Sequence, residues 1–141
     1  MTIDEVQNEI IEEFSVFEDN MDKYSYIVEL GNEMEGIDPK YKVEQNLIKG
    51  CQSKVWLHPE FRDGKIYFEA ESDAIIVKGL VALMLRVMNG RTPKEILDAD
   101  LHFIDAIGLK QLLSPTRSNG FLAMMKQVKL YALAYDRIAQ K

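Results

Sequence analysis

Apolar residues recur through the first third of the chain at helical spacing. Val6, Ile10, Phe14 and Phe17 repeat with glutamates between them, and Thr2 and Glu5 are spaced as a capping box in front of the run. A second helix reads through Tyr24, Ile27, Val28 and Gly31 and ends near the glycines of "LGNEMEG". "IDP" at 37–39 breaks it, because the residue before a proline is pushed out of the helical region. The period then changes. Residues 43–48, 54–58 and 65–70 read as three short strands, and "KIYFEA" alternates to place Ile66, Phe68 and Ala70 on one face. "RDGK" (62–65) carries the Asp-Gly pair of a hairpin turn, and "GCQS" is a tight connection between the first two strands, with Gly50 able to take a positive φ. These turns predict a three-stranded antiparallel meander.

The second half returns to helical spacing. Val77, Leu80, Val81, Met84, Leu85 and Met88 form an apolar stripe that Asn89-Gly90 stops. Asp73 is placed to cap this helix or sit in its first turn. "TPKE" (92–95) offers Thr92 as N-cap, Pro93 at the first helical position and Glu95 to close a capping box. "SPTRSNG" (114–120) reads as a polar lead into a last helix that buries Phe121, Met124, Val128, Tyr131 and Tyr135, its methionines serving as core filler. Two helices, three strands and further helices give an α+β order, with the helices packed on one face of the sheet.

Composition narrows the function. The chain has 141 residues, no repeat and no linker, so a single domain over 1–141 is expected. A formal net charge of −6 argues against nucleic acid, whose phosphates are gripped by clustered cations, and gives no support to an anionic membrane surface. No run approaches the length of a membrane span, and the acidic start is unlike a secretory leader. Cys51 is the single cysteine, which excludes an internal disulfide and favours a reducing compartment, the cytoplasm. With only His58 and His102 to join it, a zinc site of the usual ligand types is not expected, and no cofactor is assigned to the chain.

Cys51 is the leading candidate for chemistry. It follows Gly50 on a turn and lies between Lys49 and Lys54, cations that favour a thiolate. Local reading leaves two choices open: a packed, inert thiol or a nucleophile. A Cys/His hydrolase pairing Cys51 with His58 is a weaker alternative, since nothing marks an oxyanion hole or an orienting partner. Arg117, Ser118 and Asn119 cluster donors beside a helix start, a weak anion-site signal without a glycine-rich loop.

Taken together, "IKGCQSKVWL", "ESDAIIVKGLVALML", "NGRTPKEIL", "IGLKQLLSPTRSNG" and the terminal helix closely resemble the SufE family of sulfur acceptors, over nearly the whole chain from "YIVELG" onward. The resemblance implies the α+β fold shared with the IscU scaffold proteins, without their set of cluster-ligand cysteines. It implies a desulfurase partner of the SufS type, whose PLP stays with that partner, and transfer of persulfide sulfur onto Cys51 and then to a SufBCD-type scaffold complex. On that basis Gly50 is expected as a hinge, Gln52 and Ser53 as polar contacts, and Asp73 and Arg117 as holders of the resting loop. Two alternatives stand beside this: a CsdE-like acceptor serving another desulfurase, and an interaction module that activates a desulfurase without carrying sulfur. A homodimer is left open, because every apolar stripe can be assigned to the core.

Overall fold

The computed structural model describes residues 1–139, so the last two residues of the expected 1–141 domain lie outside the described part. Its elements run α1 (Ile3–Ser15), α2 (Asn20–Asn32), β1 (Val55–Arg62), β2 (Lys65–Ser72), α3 (Ile75–Met88), α4 (Pro93–Asp98), α5 (Phe103–Ala106), α6 (Leu109–Leu112) and α7 (Pro115–Ala139), with 3₁₀ turns at Pro39–Tyr41 and Glu44–Asn46. The α+β class is as expected, and so are the capping boxes of α1 (Thr2 with Glu5) and α4 (Thr92 with Glu95).

The sheet has two strands among the described residues, not three. Residues 43–48 instead make the second 3₁₀ turn and touch β1 at one bridge, Leu47 opposite Trp56, with the Ile48 amide donating to the Val55 carbonyl at 2.9 Å. The polar "EQN" closes its own turn there, and that spends the amides a ladder would need. β1 in turn runs past its expected end, through Pro59 to Arg62. Pro59 faces Phe68, whose amide donates to Asn89 Oδ1 at 2.6 Å rather than to β1, so the missing proline donor costs the ladder nothing. The Asp63-Gly64 hairpin turn forms as read, with φ of 53° and 78°.

Alternation along the hairpin separates two faces. Val55, Leu57, Ile66, Phe68 and Ala70 join the core with α3 and α7. On the opposite face the chain around the two 3₁₀ turns lies across the hairpin: the Tyr41 ring stacks on His58 at 3.6 Å between centroids, and Lys42 sits 4.8 Å from the Trp56 ring centroid. Helices therefore cover one face and an irregular strap part of the other.

Helix α3 is the centre of the packing, with eight buried residues spread around it. It meets α2 where Gly31 faces Gly79. A Cβ added at Gly79 would stand 2.0 Å from the Ile27 carbonyl oxygen, and one at Gly31 2.5 Å from the Gly79 nitrogen. The other side of α3 reaches α1 through Arg86, which donates to Glu13 at 2.8 Å from Nη1 and to both Glu9 and Glu13 from Nη2. Tyr26 of α2 donates to the same Glu13 carboxylate at 2.5 Å. The Arg86 hydrogen bond holds Glu13 below its usual carboxylate range, while burial, then the Glu13 contact, push the Tyr26 phenol up to about 12. Fully buried Gln7 ties α1 to the following helices, donating to the Asp100 carbonyl at 2.9 Å and accepting from the Phe103 amide at 3.1 Å.

Two outcomes are expected. Gly79→Ala improves helix propensity by about 1 kcal/mol, yet it forces α2 and α3 apart, and overpacking of that kind costs up to about 3 kcal/mol or more. Denaturant melts should show a net loss; unchanged stability would mean that the two helices do not need this approach. Glu13→Gln should lower stability at neutral pH. A carboxyl with a depressed folded pKa contributes above its unfolded value and loses that contribution as pH falls, so the deficit should close in melts at acid pH.

Candidate functional site

Cys51 lies on residues 49–54, the connection between the Leu47–Trp56 bridge and β1. Gly50 has φ 90°, in the left-handed region where a side chain is strained, and this turn aims the chain so that Cys51 points inward. The half-buried sulfur packs against α7, where Sγ donates to the Gly120 main-chain oxygen at 3.3 Å. An added Cβ at Gly120 would lie 3.7 Å from Sγ, so the helix meets the loop there without a side chain between them.

The loop is secured at three further points. Arg117 Nη1 donates to Ser53 Oγ at 2.8 Å. The Lys54 amide donates to Asp73 Oδ1 at 3.0 Å, and the Lys54 carbonyl accepts from the Asp73 amide at 3.2 Å and from Ser72 Oγ at 2.8 Å. Asp73 is thus not a helix cap. The N-cap position of α3 is Ala74, with no side-chain cap, because the Asp73 carboxylate is turned to the loop.

These contacts close a cleft of about 360 Å³, open mouth included, lined by Cys51, Gln52 and Ser53 of the loop, Val55 of β1, Val77 and Leu80 of α3, and Thr116, Arg117, Gly120, Phe121 and Met124 of α7. The lining as a whole is largely apolar. Burial pushes the Cys51 thiol up, and neither Lys49 nor Lys54 offsets it. The flanking lysines, expected to favour a thiolate, are exposed instead. At rest the site holds a protonated, sheltered thiol.

Of the expected site residues, Cys51, Gln52, Ser53 and Arg117 share the cleft, Gly50 sets the turn, and Asp73 fastens the loop's far end. The anion cluster is not assembled. "SPTRSNG" lies largely inside α7, with the Ser114 hydroxyl accepting from the Arg117 amide at 3.2 Å; Asn119 is exposed and Ser118 lines a separate groove with Leu109, Leu113 and Leu122. His58 is stacked on Tyr41 on the face of the hairpin away from the core, and His102 Nε2 lies 3.4 Å from Asn8 Oδ1 beside α1, so neither joins Cys51 and the hydrolase alternative falls. Among the described residues no group of three or more His, Cys, Asp or Glu could hold a metal ion, and no helix is long and apolar enough to cross a membrane. Gly120 was missed by sequence reasoning, since a main-chain carbonyl leaves no residue-type signal; the apolar wall was visible only as core stripes.

Residues 8–132 match the family model described as SufE, Fe-S metabolism associated domain. The chain is 36% identical over 127 residues to an uncharacterized SufE-like protein of Synechocystis sp., spanning 90% of this chain and 80% of that one. It is 35% identical over 126 residues to SufE-like protein 1, chloroplastic/mitochondrial, of Arabidopsis thaliana, covering 89% of this chain and 34% of that longer protein. A solution structure of a hypothetical protein from Thermus thermophilus shares the fold, with a TM-score of 0.75 at 18% identity over 92% of this chain and 94% of that one. The α+β fold, the family model and two relatives above one-third identity lead to one conclusion: this chain belongs to the SufE family, whose domain is associated with Fe-S metabolism.

Proposed function

We propose that the protein is a sulfur acceptor and carrier that stimulates a PLP-dependent cysteine desulfurase, takes persulfide sulfur onto Cys51 and passes it to a SufBCD-type scaffold complex. The observation that carries this reading is the placement of the single thiol, sheltered in an apolar cleft on a short loop and held there by a few hydrogen bonds.

In the transfer step the Cys51 thiolate attacks the outer sulfur of the donor persulfide. The new S–S bond forms as the donor's S–S bond breaks, and the donor cysteine leaves as a thiolate that is then protonated. No net oxidant is needed, because the sulfur moves already oxidised. PLP is assigned to the donor, where cysteine is cleaved. A donor must first open the loop. Each tether is worth about 0.5–1.5 kcal/mol net, so opening costs a few kcal/mol, whereas a micromolar complex supplies about 8 kcal/mol. Docking can therefore open the loop, while thermal motion alone exposes it rarely. Asp73 and Arg117 set that balance from the Lys54 and Ser53 sides, and Gly50 is the hinge.

Incubation with a cysteine desulfurase, PLP and cysteine should add a sulfur to the intact mass of the wild type and none to Cys51→Ser. Stimulation retained by Cys51→Ser, with no sulfur on the wild type, would instead make the protein a non-carrying activator. Asp73→Ala should raise the rate of Cys51 alkylation by iodoacetamide roughly fivefold, the factor that ~1 kcal/mol corresponds to. An unchanged rate would remove Asp73 from the site.

A further inference from the structure

The cleft is built for a sulfur that carries a proton. Its lining is largely apolar, with Arg117 the one cationic side chain among the lining residues, and the sulfur's hydrogen bond is one it donates, to the Gly120 carbonyl oxygen at 3.3 Å. A carbonyl oxygen accepts and cannot donate. Attaching a second sulfur therefore abolishes the contact by covalent chemistry alone: the inner sulfur of a persulfide is bonded to carbon and sulfur and has no hydrogen to give. The outer sulfur stands about 2.05 Å further on and ionises more readily than a thiol, which would leave a charge among Val55, Val77, Leu80, Phe121 and Met124.

We propose that the Gly120 carbonyl is a positioning group that reads the chemical state of Cys51, holding the loop closed over the empty thiol and releasing it once sulfur is attached. The inference rests on the carrier reading and gives it a direction. The empty carrier is covered; the loaded carrier presents its sulfur without waiting to be opened. The charged groups around the sulfur are few. Arg117 of α7 lines the cleft with its guanidinium on Ser53, Asp73 between β2 and α3 is engaged by the Lys54 amide, and Lys49 and Lys54 are exposed on the loop itself. Arg117 is the group among these that could retain an anionic sulfur inside.

The test loads Cys51 without any desulfurase, using inorganic hydropolysulfide. The thiolate takes the terminal sulfur, one S–S bond forms as another breaks, and the shorter polysulfide departs with the electron pair. Intact mass scores the loading, and amide hydrogen exchange across residues 50–54, with Lys54 as the reporter, scores the loop. Loading should speed Lys54 exchange by up to roughly tenfold, the factor that the loss of one hydrogen bond worth ~1.4 kcal/mol corresponds to. Cys51→Ser, which keeps a donor, should stay as protected as the empty wild type, and Cys51→Asp should open like the loaded protein. The empty wild type adds a pH readout. Closure favours the protonated thiol, so it is complete below the ordinary thiol range and is lost as pH climbs through the raised value; the exchange ratio of wild type to Cys51→Ser should rise there. Full protection of Lys54 in the loaded protein, as when Arg117 keeps the sulfur inside, overturns the proposal, and so does a Cys51→Asp loop as closed as that of Cys51→Ser. The mass and exchange arms need no partner, so failure of desulfurase transfer would not be mistaken for failure of this inference.

Discussion

Helix α3 can lie where it does only because residue 79 has no side chain. Gly79 lets the Ile27 carbonyl of α2 approach to a distance that any Cβ would forbid, and Gly31 answers it from the other helix. With α2 that close, the remaining apolar surface of α3 is free to face β2, α1 and α7, and its first turns present Val77 and Leu80 to the cleft around Cys51. Side chains elsewhere fill the space this contact defines. The Arg86, Glu13 and Tyr26 group then fixes the order of α1, α2 and α3 at a point where burial alone would not distinguish between them.

The site is a small perturbation on this frame. Its loop is anchored by pairing at Ile48 and Val55 and is fastened from both α7 and the β2–α3 corner. Each fastening is weak beside the core. On the carrier reading proposed above, a thiol covered in one encounter and reached in the next would be better served by several small contacts than by one strong one, because a docking partner could displace them together.

What the sequence made legible follows from which signals are local. The capping boxes at Thr2 and Thr92, the Asp-Gly turn and the apolar stripe of α3 are encoded within a few residues, and each formed as read. The segment 43–48 misleads because strand pairing is a property of two segments: its apolar ends resemble a strand, but the polar residues between them close a 3₁₀ turn. Asp73 misleads for a similar reason, since its position before α3 is that of a cap while its carboxylate is taken by the Lys54 amide. Cys51 stood out by residue type and by resemblance. Its depressed acidity did not, because Lys49 and Lys54 are neighbours in sequence and not in electrostatics.

The pairing of Ile48 with Val55 also sets a tether length. Cys51 is three residues from Ile48, and an extended chain advances at most about 3.6 Å per residue, so a fully swung loop carries the sulfur roughly 10 Å from that anchor. On the carrier reading proposed above, a donor or recipient would have to bring its own reacting atom within that radius of the hairpin's end. A partner with a thiol recessed more deeply could be served only by peeling Ile48 away from β1. On that reading the short arm would act as a ruler, selecting partners by the depth of their active sites before any side chain is read.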